Sequence, residues 1–286
     1  MPELPEVETV RRGLAPHLEG RRIMGVRLNR AGLRLPFPDR LAERITGAII
    51  LPIQRRAKYL LAPLDCGETL VLHLGMSGRL LVLHDAGGAA PGKFHYSVDR
   101  LVQHDHAEIA LEGGSTLIFN DPRRFGFLLL VECAKLHELP ALAGLGVEPL
   151  GNDFSEAALA DMLKGRKIPI KLALLDQRLI AGLGNIYVCE ALFRAGIHPA
   201  RAAGSLCVQE IAKLFSAIRA VLEAAIVAGG STLRDFRHED GALGYFQHSF
   251  AVYGREAAPC PVCARPIARI TQGGRSSFFC EGCQNF

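Results

Sequence analysis

Two groups of residues in this chain have the types and the spacing to do chemistry. The first is Cys260-Pro-Val-Cys263 and Cys280-Glu-Gly-Cys283, two CxxC pairs with 16 residues between them. Each pair lets two thiolates converge on one cation, and four thiolates at tetrahedral spacing select zinc. Two pairs in Gly/Pro-rich turns argue against a redox dithiol, and no open ligand position is apparent, so the spacing predicts one structural zinc. A unit of this size has too little core of its own, and the metal supplies folding energy. The spacer fits a two-stranded hairpin with Arg275 at its tip or on its return strand, where an arginine is either solvated surface or a grip on phosphate.

The second group is the N-terminus, Met1-Pro2-Glu3-Leu4-Pro5-Glu6. A small second residue favours removal of Met1, which would leave Pro2 as a secondary amine. An α-amine titrates at about 7.7–8.0, so part of it is neutral and nucleophilic near pH 7. Glu3 and Glu6 lie beside it, and a carboxylic acid beside an amine can shuttle protons. Two acids near an N-terminus are commonplace, and the pattern is not specific by itself.

These groups need elements to hold them. Val7, Val10 and Leu14 form one stripe of a helix over 6–18. From Ile23 to about Val131, short apolar runs alternate with turns, including the Gly-Gly pairs at 87–88 and 113–114, which predicts two packed sheets with the helix laid against them. After Gly144 the period becomes helical: 154–164 with Ser155 as N-cap, 171–175, 185–195 and 205–228, ended by Gly229-Gly230. The expected architecture is therefore α+β and multidomain: a helix plus two-sheet β-sandwich over 1–135, a helical domain over 150–232, a loop and linker over 233–254 and a zinc-finger hairpin over 255–286.

Length and charge agree with this division. At 286 residues the chain exceeds the roughly 100–150 of a typical domain. Net charge is only +4, but it is uneven: residues 1–58 hold twelve Lys/Arg against six Asp/Glu, and 164–178 hold five basic residues against Asp176. Such patches suit a polyanion met on one face, or a solvated helix face. No run approaches the roughly 20 apolar residues of a membrane helix, and no signal pattern opens the chain, so a cytoplasmic monomer is expected. In that compartment a disulfide framework is not expected, and Cys66, Cys133, Cys189 and Cys207 are read as buried small apolar residues.

Several stretches go further. MPELPEVETVRRGL at the start, RRAKYLL at 55–61, HLGMSGRL at 73–80, NDPRRFG at 120–126, LDQRLIAGLGNIYVCEALFRAGIHP at 175–199 and the tail RSSFFCEGCQ resemble, in order and over nearly the whole chain, the formamidopyrimidine-DNA glycosylase family. The resemblance is to the oxidised-purine branch; the sister endonuclease VIII branch usually begins PEGPE where this chain has PELPE.

The resemblance implies a repair enzyme that excises oxidised bases from double-stranded DNA. Pro2 matches the attacking amine, Glu3 the proton-donating acid, Glu6 a supporting carboxylate and Lys58 a lysine for proton transfer in β-elimination. Arg275 matches a finger arginine that holds phosphates and assists δ-elimination. Met76, Arg123 and Phe125 match a wedge that fills the gap left by a flipped base, although Met76 and Phe125 read without the family would be core. His104, Arg123 again, Arg166, Lys167 and Asn185 match phosphate contacts, with 182–185 as the helix-two-turn-helix turn. The loop from Ser231 to Tyr245 matches a lid over the flipped base. Ala57 stands where a glycine is common, Ser277 where a threonine is common, and the lid carries more charge than expected. Two other readings compete: an endonuclease VIII-like glycosylase for oxidised pyrimidines, which the PELPE start opposes, and a non-catalytic zinc-finger DNA-binding protein, which has no need of Pro2, Glu3 and Lys58.

Overall fold

The computed structural model describes residues 1–84, 101–231 and 246–286. The chain divides into two compact units: 1–143 with 228–245, and 144–227 with 246–286.

The first unit opens on α1 (Leu4–Leu18), two residues earlier than the apolar stripe suggests. Pro5 explains the difference, because proline in a first helical turn gives up an N–H that would have no helical partner, and the Glu3 N–H donates to Glu6 Oε2 at 2.8 Å. Val7, Val10, Leu14 and Leu18 form the buried face. There follow β1 (Ile23–Leu28), α2 (Leu41–Ile45), β2 (Gln54–Arg56), β3 (Tyr59–Pro63), β4 (Glu68–His73), β5 (Arg79–His84), β6 (Asp105–Leu111), β7 (Ser115–Asn120), β8 (Phe127–Glu132) and α3 (Pro140–Ala143).

The strands make two four-stranded antiparallel sheets, ordered β1-β6-β7-β5 and β2-β3-β4-β8. Leu60, Leu70 and Leu72 of one sheet share a core with Ile23, Leu80, Ile109 and Leu117 of the other and with the apolar stripe of α1. This is the expected sandwich. Gly113 and Gly114 turn β6 into β7 with positive φ, as that pair requires. The pair at 87–88 lies outside the described residues.

The second unit contains α4 (Glu156–Leu163), α5 (Ile170–Leu175), α6 (Asn185–Ala195), α7 (Val208–Val227) and the hairpin β9 (Ala268–Gln272) with β10 (Arg275–Phe279). Ser155 caps α4 by accepting the Ala158 N–H at 3.1 Å, and α6 has the bounds that its sequence suggests. The long helix starts later than expected, at Val208. Glu210 draws back the Cys207 N–H at 2.8 Å, while Ser205 belongs to a preceding 3₁₀ turn. Glu190 of α6 is buried and accepts the N–H groups of Ala251, Val252 and Tyr253, which fixes the approach to the hairpin.

Of the four scattered cysteines only Cys189 is buried; Cys66, Cys133 and Cys207 are exposed. The expectation fails because these three stand outside the packed elements: Cys66 in the β3–β4 turn, Cys133 just past β8 and Cys207 before α7. No helix among the described residues is long and apolar enough to cross a membrane.

Candidate active site and nucleic-acid interface

In the first unit Pro2, Glu3 and Glu6 are all buried. The Glu6 carboxylate binds both ends of the segment: Oε2 accepts the Glu3 N–H, and Oε1 accepts the Ser231 N–H at 2.8 Å and the Ser231 hydroxyl at 3.0 Å. Gly230 precedes Ser231 with φ +75°, and a Cβ there would stand 3.1 Å from Glu6 Oε1, so only glycine brings this backbone so near the carboxylate. Met1 occupies the amide position on the Pro2 nitrogen, so attack by Pro2 requires its removal.

Lys58 is 7 % exposed, at the two-residue turn between β2 and β3. Ala57, before it, has φ +53°, a left-handed conformation that disfavours any side chain. The Ala57 carbonyl accepts Arg55 Nη1 at 3.1 Å, and Arg55 Nε reaches the Glu8 carboxylate of α1 at 3.3 Å. The turn that presents Lys58 is thus tied to the helix that presents Pro2. Sequence reasoning passed over Glu8, though its spacing from Arg11 and Arg12 at i+3 and i+4 is an ion-pair signal.

Met76 and Phe125 are not core. Met76 is half-buried on the turn after β4, and Phe125 is 45 % exposed. Arg123 is exposed and its guanidinium stands 4.8 Å over the Phe125 ring. His104 lies on the neighbouring 3₁₀ turn, its carbonyl accepting the Asp121 N–H at 3.0 Å. The structure therefore brings Met76, His104, Arg123 and Phe125 to one sector. His73, the last residue of β4, is buried and stacks on Phe127 at 5.2 Å. Burial, with the charges of Lys58 and Arg34 behind it, lowers its imidazole to about 4.

In the second unit Arg275 is the exposed first residue of β10. Asn185 Nδ2 and Lys171 Nζ donate to the adjacent Ser276 carbonyl at 3.0 and 2.9 Å, and Lys171 also donates to Ser277 Oγ at 2.7 Å. Asn185 Oδ1 is buried with no hydrogen-bond partner among the described residues. Lys171 is wholly buried, which pulls its ammonium below the ordinary lysine value, with the Arg275 charge acting the same way. Neither contact was foreseeable, since nothing in the spacing links 171 and 185 to 276. Gln177 shapes the turn before α6, accepting the Gly182 N–H at 2.9 Å and donating to the Leu175 and Leu183 carbonyls. The α6 N-terminus at Asn185 offers backbone N–H groups and a positive dipole end. Arg166 is half-buried, donating to the Met162 carbonyl, and Lys167 beside it is exposed. Of the lid, Ser231 is described; the rest, with Tyr245, lies outside the described residues.

The four sulfur atoms of Cys260, Cys263, Cys280 and Cys283 lie within 4.8 Å of one another. Two separations are 3.8 and 3.4 Å, close to the ~3.8 Å edge of a tetrahedron with zinc–sulfur bonds of about 2.3 Å. The donor set fits one structural zinc with no vertex left over. Cys260 and Cys280 also enter a small apolar cluster with Cys189, Val252 and Ile267, so the finger shares a core with α6 and does not stand on the metal alone.

A sandwich with a buried N-terminal amine position, a helix-two-turn-helix turn and a four-cysteine hairpin define a DNA-processing enzyme of the helix-two-turn-helix, zinc-finger class. Family comparison makes this specific. The formamidopyrimidine-DNA glycosylase N-terminal domain matches residues 1–128, the H2TH domain of the same glycosylase 145–237, and the zinc finger found in FPG and IleRS 258–285. Formamidopyrimidine-DNA glycosylases of a Ruegeria species and of Cereibacter sphaeroides are 56 % and 58 % identical, over 99 % of this chain and all of theirs. Among solved structures, the MutM (Fpg) protein of Thermus thermophilus is similar at 44 % identity and TM-score 0.84, covering 99 % of this chain and 98 % of its own. A Lactococcus lactis Fpg mutant in complex with Fapy-dG-containing DNA is similar at 33 % and 0.86, with full coverage of both. The chain belongs to the formamidopyrimidine-DNA glycosylase family.

Proposed function

We propose that the protein is a bifunctional DNA glycosylase and abasic-site lyase of base excision repair, removing oxidised purines (8-oxoguanine and formamidopyrimidines) from duplex DNA through a covalent intermediate on Pro2. The observation that carries this reading is the anchored N-terminus: Pro2 and Glu3 are buried, and the Glu6 carboxylate joins Glu3 to Ser231, accepting one hydrogen bond from the first and two from the second. Chain ends ordinarily fray; this one is held as a reacting group must be.

Loss of Met1 turns the Pro2 nitrogen into a secondary amine. Its lone pair attacks C1′ of the damaged nucleotide, the N-glycosidic bond breaks, and the base departs with a proton from Glu3. Sugar-ring opening leaves an iminium joined to Pro2. Loss of a C2′ proton expels the 3′ phosphate, a second elimination expels the 5′ phosphate, and water hydrolyses the iminium to regenerate the amine. Lys58 serves these proton transfers from its buried turn, and Arg275 supplies positive charge to a phosphate. Met76, Arg123 and Phe125 fill the gap left by the extruded base. His104, Arg166, Lys167 and Asn185 hold the backbone, and the segment from Ser231 to Tyr245 covers the lesion. Zinc holds the Arg275 hairpin and takes no part in bond breaking. A substrate in chromosomal DNA supports a cytoplasmic, nucleoid-associated enzyme.

Borohydride reduces an iminium to a stable amine, so the Met1-processed protein incubated with a duplex carrying 8-oxoguanine opposite cytosine is expected to give a covalent adduct. Absence of an adduct, or equal trapping by Pro2→Gly or by a chain that retains Met1, overturns the Pro2 mechanism. A Lactococcus lactis Fpg has been solved with DNA containing an oxidised pyrimidine, so the same assay on oxidised purines and pyrimidines side by side decides the lesion class.

A further inference from the structure

The wedge needs three side chains from two separate turns to enter DNA together: Met76 from the turn after β4, Arg123 and Phe125 from the turn between β7 and β8. Asp121, which follows β7 and is 0 % exposed, joins them. Its Oδ1 accepts the hydroxyl of Ser77, next to Met76, at 2.6 Å, and the Arg123 N–H at 3.3 Å. Its Oδ2 accepts the N–H of Gly126, next to Phe125, at 2.8 Å. The Ser77 hydroxyl oxygen also accepts the Arg123 N–H at 3.2 Å, closing the ring between the turns.

The backbones meet as closely as the hydrogen bonds imply. A Cβ on Gly75 would lie 2.4 Å from Gly126 N, and one on Gly126 would lie 2.7 Å from the His73 carbonyl oxygen. The Gly75 N–H donates to His73 Nδ1 at 3.1 Å. The Asp121 carbonyl accepts the Arg124 N–H at 3.2 Å and pairs with His106 Nε2 at 2.8 Å. A buried carboxylate persists only where donors satisfy it, and the Ser77, Arg123 and Gly126 donors all belong to the two turns.

We propose that Asp121 is the positioning residue of the intercalating wedge. It never reaches DNA. It holds Met76, Arg123 and Phe125 in one arrangement before DNA arrives, so that extrusion of the base does not wait for two turns to find each other. The inference rests on the wedge reading above.

Asp121→Asn keeps the volume but replaces one acceptor oxygen with an NH2 group: towards Gly126 it opposes the amide N–H, and towards Ser77 it opposes the Arg123 N–H and obliges the Ser77 hydroxyl to accept where it had donated. Either orientation weakens the bridge between the turns. Two substrates separate a wedge defect from a general one: a duplex with 8-oxoguanine, which needs a base extruded, and a single-stranded oligonucleotide with an abasic site, which does not. Under single turnover at saturating DNA, Asp121→Asn is expected to lose on the order of 10- to 100-fold on the lesion duplex and to stay within about twofold of wild type on the single strand. Ser77→Ala removes one bond of the ring and is expected to lose several-fold in the same direction, which keeps the test open should Asp121→Asn fold poorly. Unchanged lesion excision in both variants, or equal loss on both substrates in Ser77→Ala, overturns the proposal. Met76→Ala and Phe125→Ala run alongside. If these two excise the lesion like wild type, the wedge reading itself fails and takes the proposal with it; if they lose activity and the Asp121 and Ser77 variants do not, only the proposal fails.

Discussion

Replacing Glu8 by glutamine tests how the turn that carries Lys58 is held against α1. Glu8 lies on α1 and is 8 % exposed. It accepts Arg11 Nη2 at 2.9 Å and Nε at 3.0 Å, Arg12 Nε at 2.8 Å and Arg55 Nε at 3.3 Å. Burial alone would raise its carboxyl; the hydrogen bonds from Arg11 and Arg12 and the charges of Arg11 and Arg55 outweigh this and hold it at about 2 against an ordinary 4.5. At about 1.4 kcal/mol for each tenfold shift, the whole displacement corresponds to about 3 kcal/mol. The Arg12 side chain is 59 % exposed, and solvent screens its share, leaving about 2 kcal/mol lost in Glu8→Gln at neutral pH. The sign with pH follows from the depressed carboxyl: the stabilisation is complete above about 4.5 and is lost as pH falls through about 2. Denaturant unfolding of both proteins from pH 7 to pH 2.5 is expected to show a constant gap down to about pH 4.5 and a closing one below it. A gap unchanged at pH 2.5, or none at pH 7, refutes the reasoning. The loss should also reach Lys58, because Arg55 then no longer braces the Ala57 carbonyl, and strand cleavage should slow more than borohydride trapping.

Because His73 stays neutral down to about 4 while an unfolded histidine takes a proton near 6.5, acid favours the unfolded chain across that window by up to about 3 kcal/mol; His73→Gln should flatten the pH dependence of unfolding between 6.5 and 4, and an unaltered slope would exclude His73 as its source. Stripping zinc, or Cys260→Ser, should release the β9–β10 hairpin from its contacts at Ser276 and abolish DNA binding by fluorescence anisotropy while the first unit keeps its circular dichroism; a metal-free protein that binds DNA as before sinks the role given to the finger.

What the sequence discloses and what it hides divide along a physical line. The metal site is legible because thiolate spacing within each CxxC is local, and α6 is legible because Gly184 and Gly196 bracket an apolar 3.6 period. Phe125 and Met76 are ambiguous by periodicity, since an aromatic or a methionine after an apolar strand reads as core; only the exposure of the turn settles it. Cys66, Cys133 and Cys207 mislead for the complementary reason, because residue type predicts burial on average and these three fall at element ends. Least legible are polar contacts between residues far apart in the chain. Glu6 meets Ser231 across 225 positions, and Lys171 meets Ser276 across 105. No local pattern marks a lysine as wholly buried.

The hidden contacts share one device. Glu6, Asp121 and Glu190 are each buried, and each gathers three donors that include backbone N–H groups from a segment remote in sequence or from a separate turn. A buried carboxylate with too few donors costs several kcal/mol, so the fold persists only when every donor is in place, and the segment that supplies them is fixed as a consequence. Apolar packing tolerates repacking when volume is conserved; such a carboxylate does not, because its amide analogue turns one acceptor into a donor that faces another donor. The segments held this way are the N-terminus that carries Pro2, the turns that carry Met76, Arg123 and Phe125, and the approach to the finger. In this chain the greatest positional demand falls on loops and a terminus, where side-chain packing is least able to meet it, and buried charge supplies the constraint.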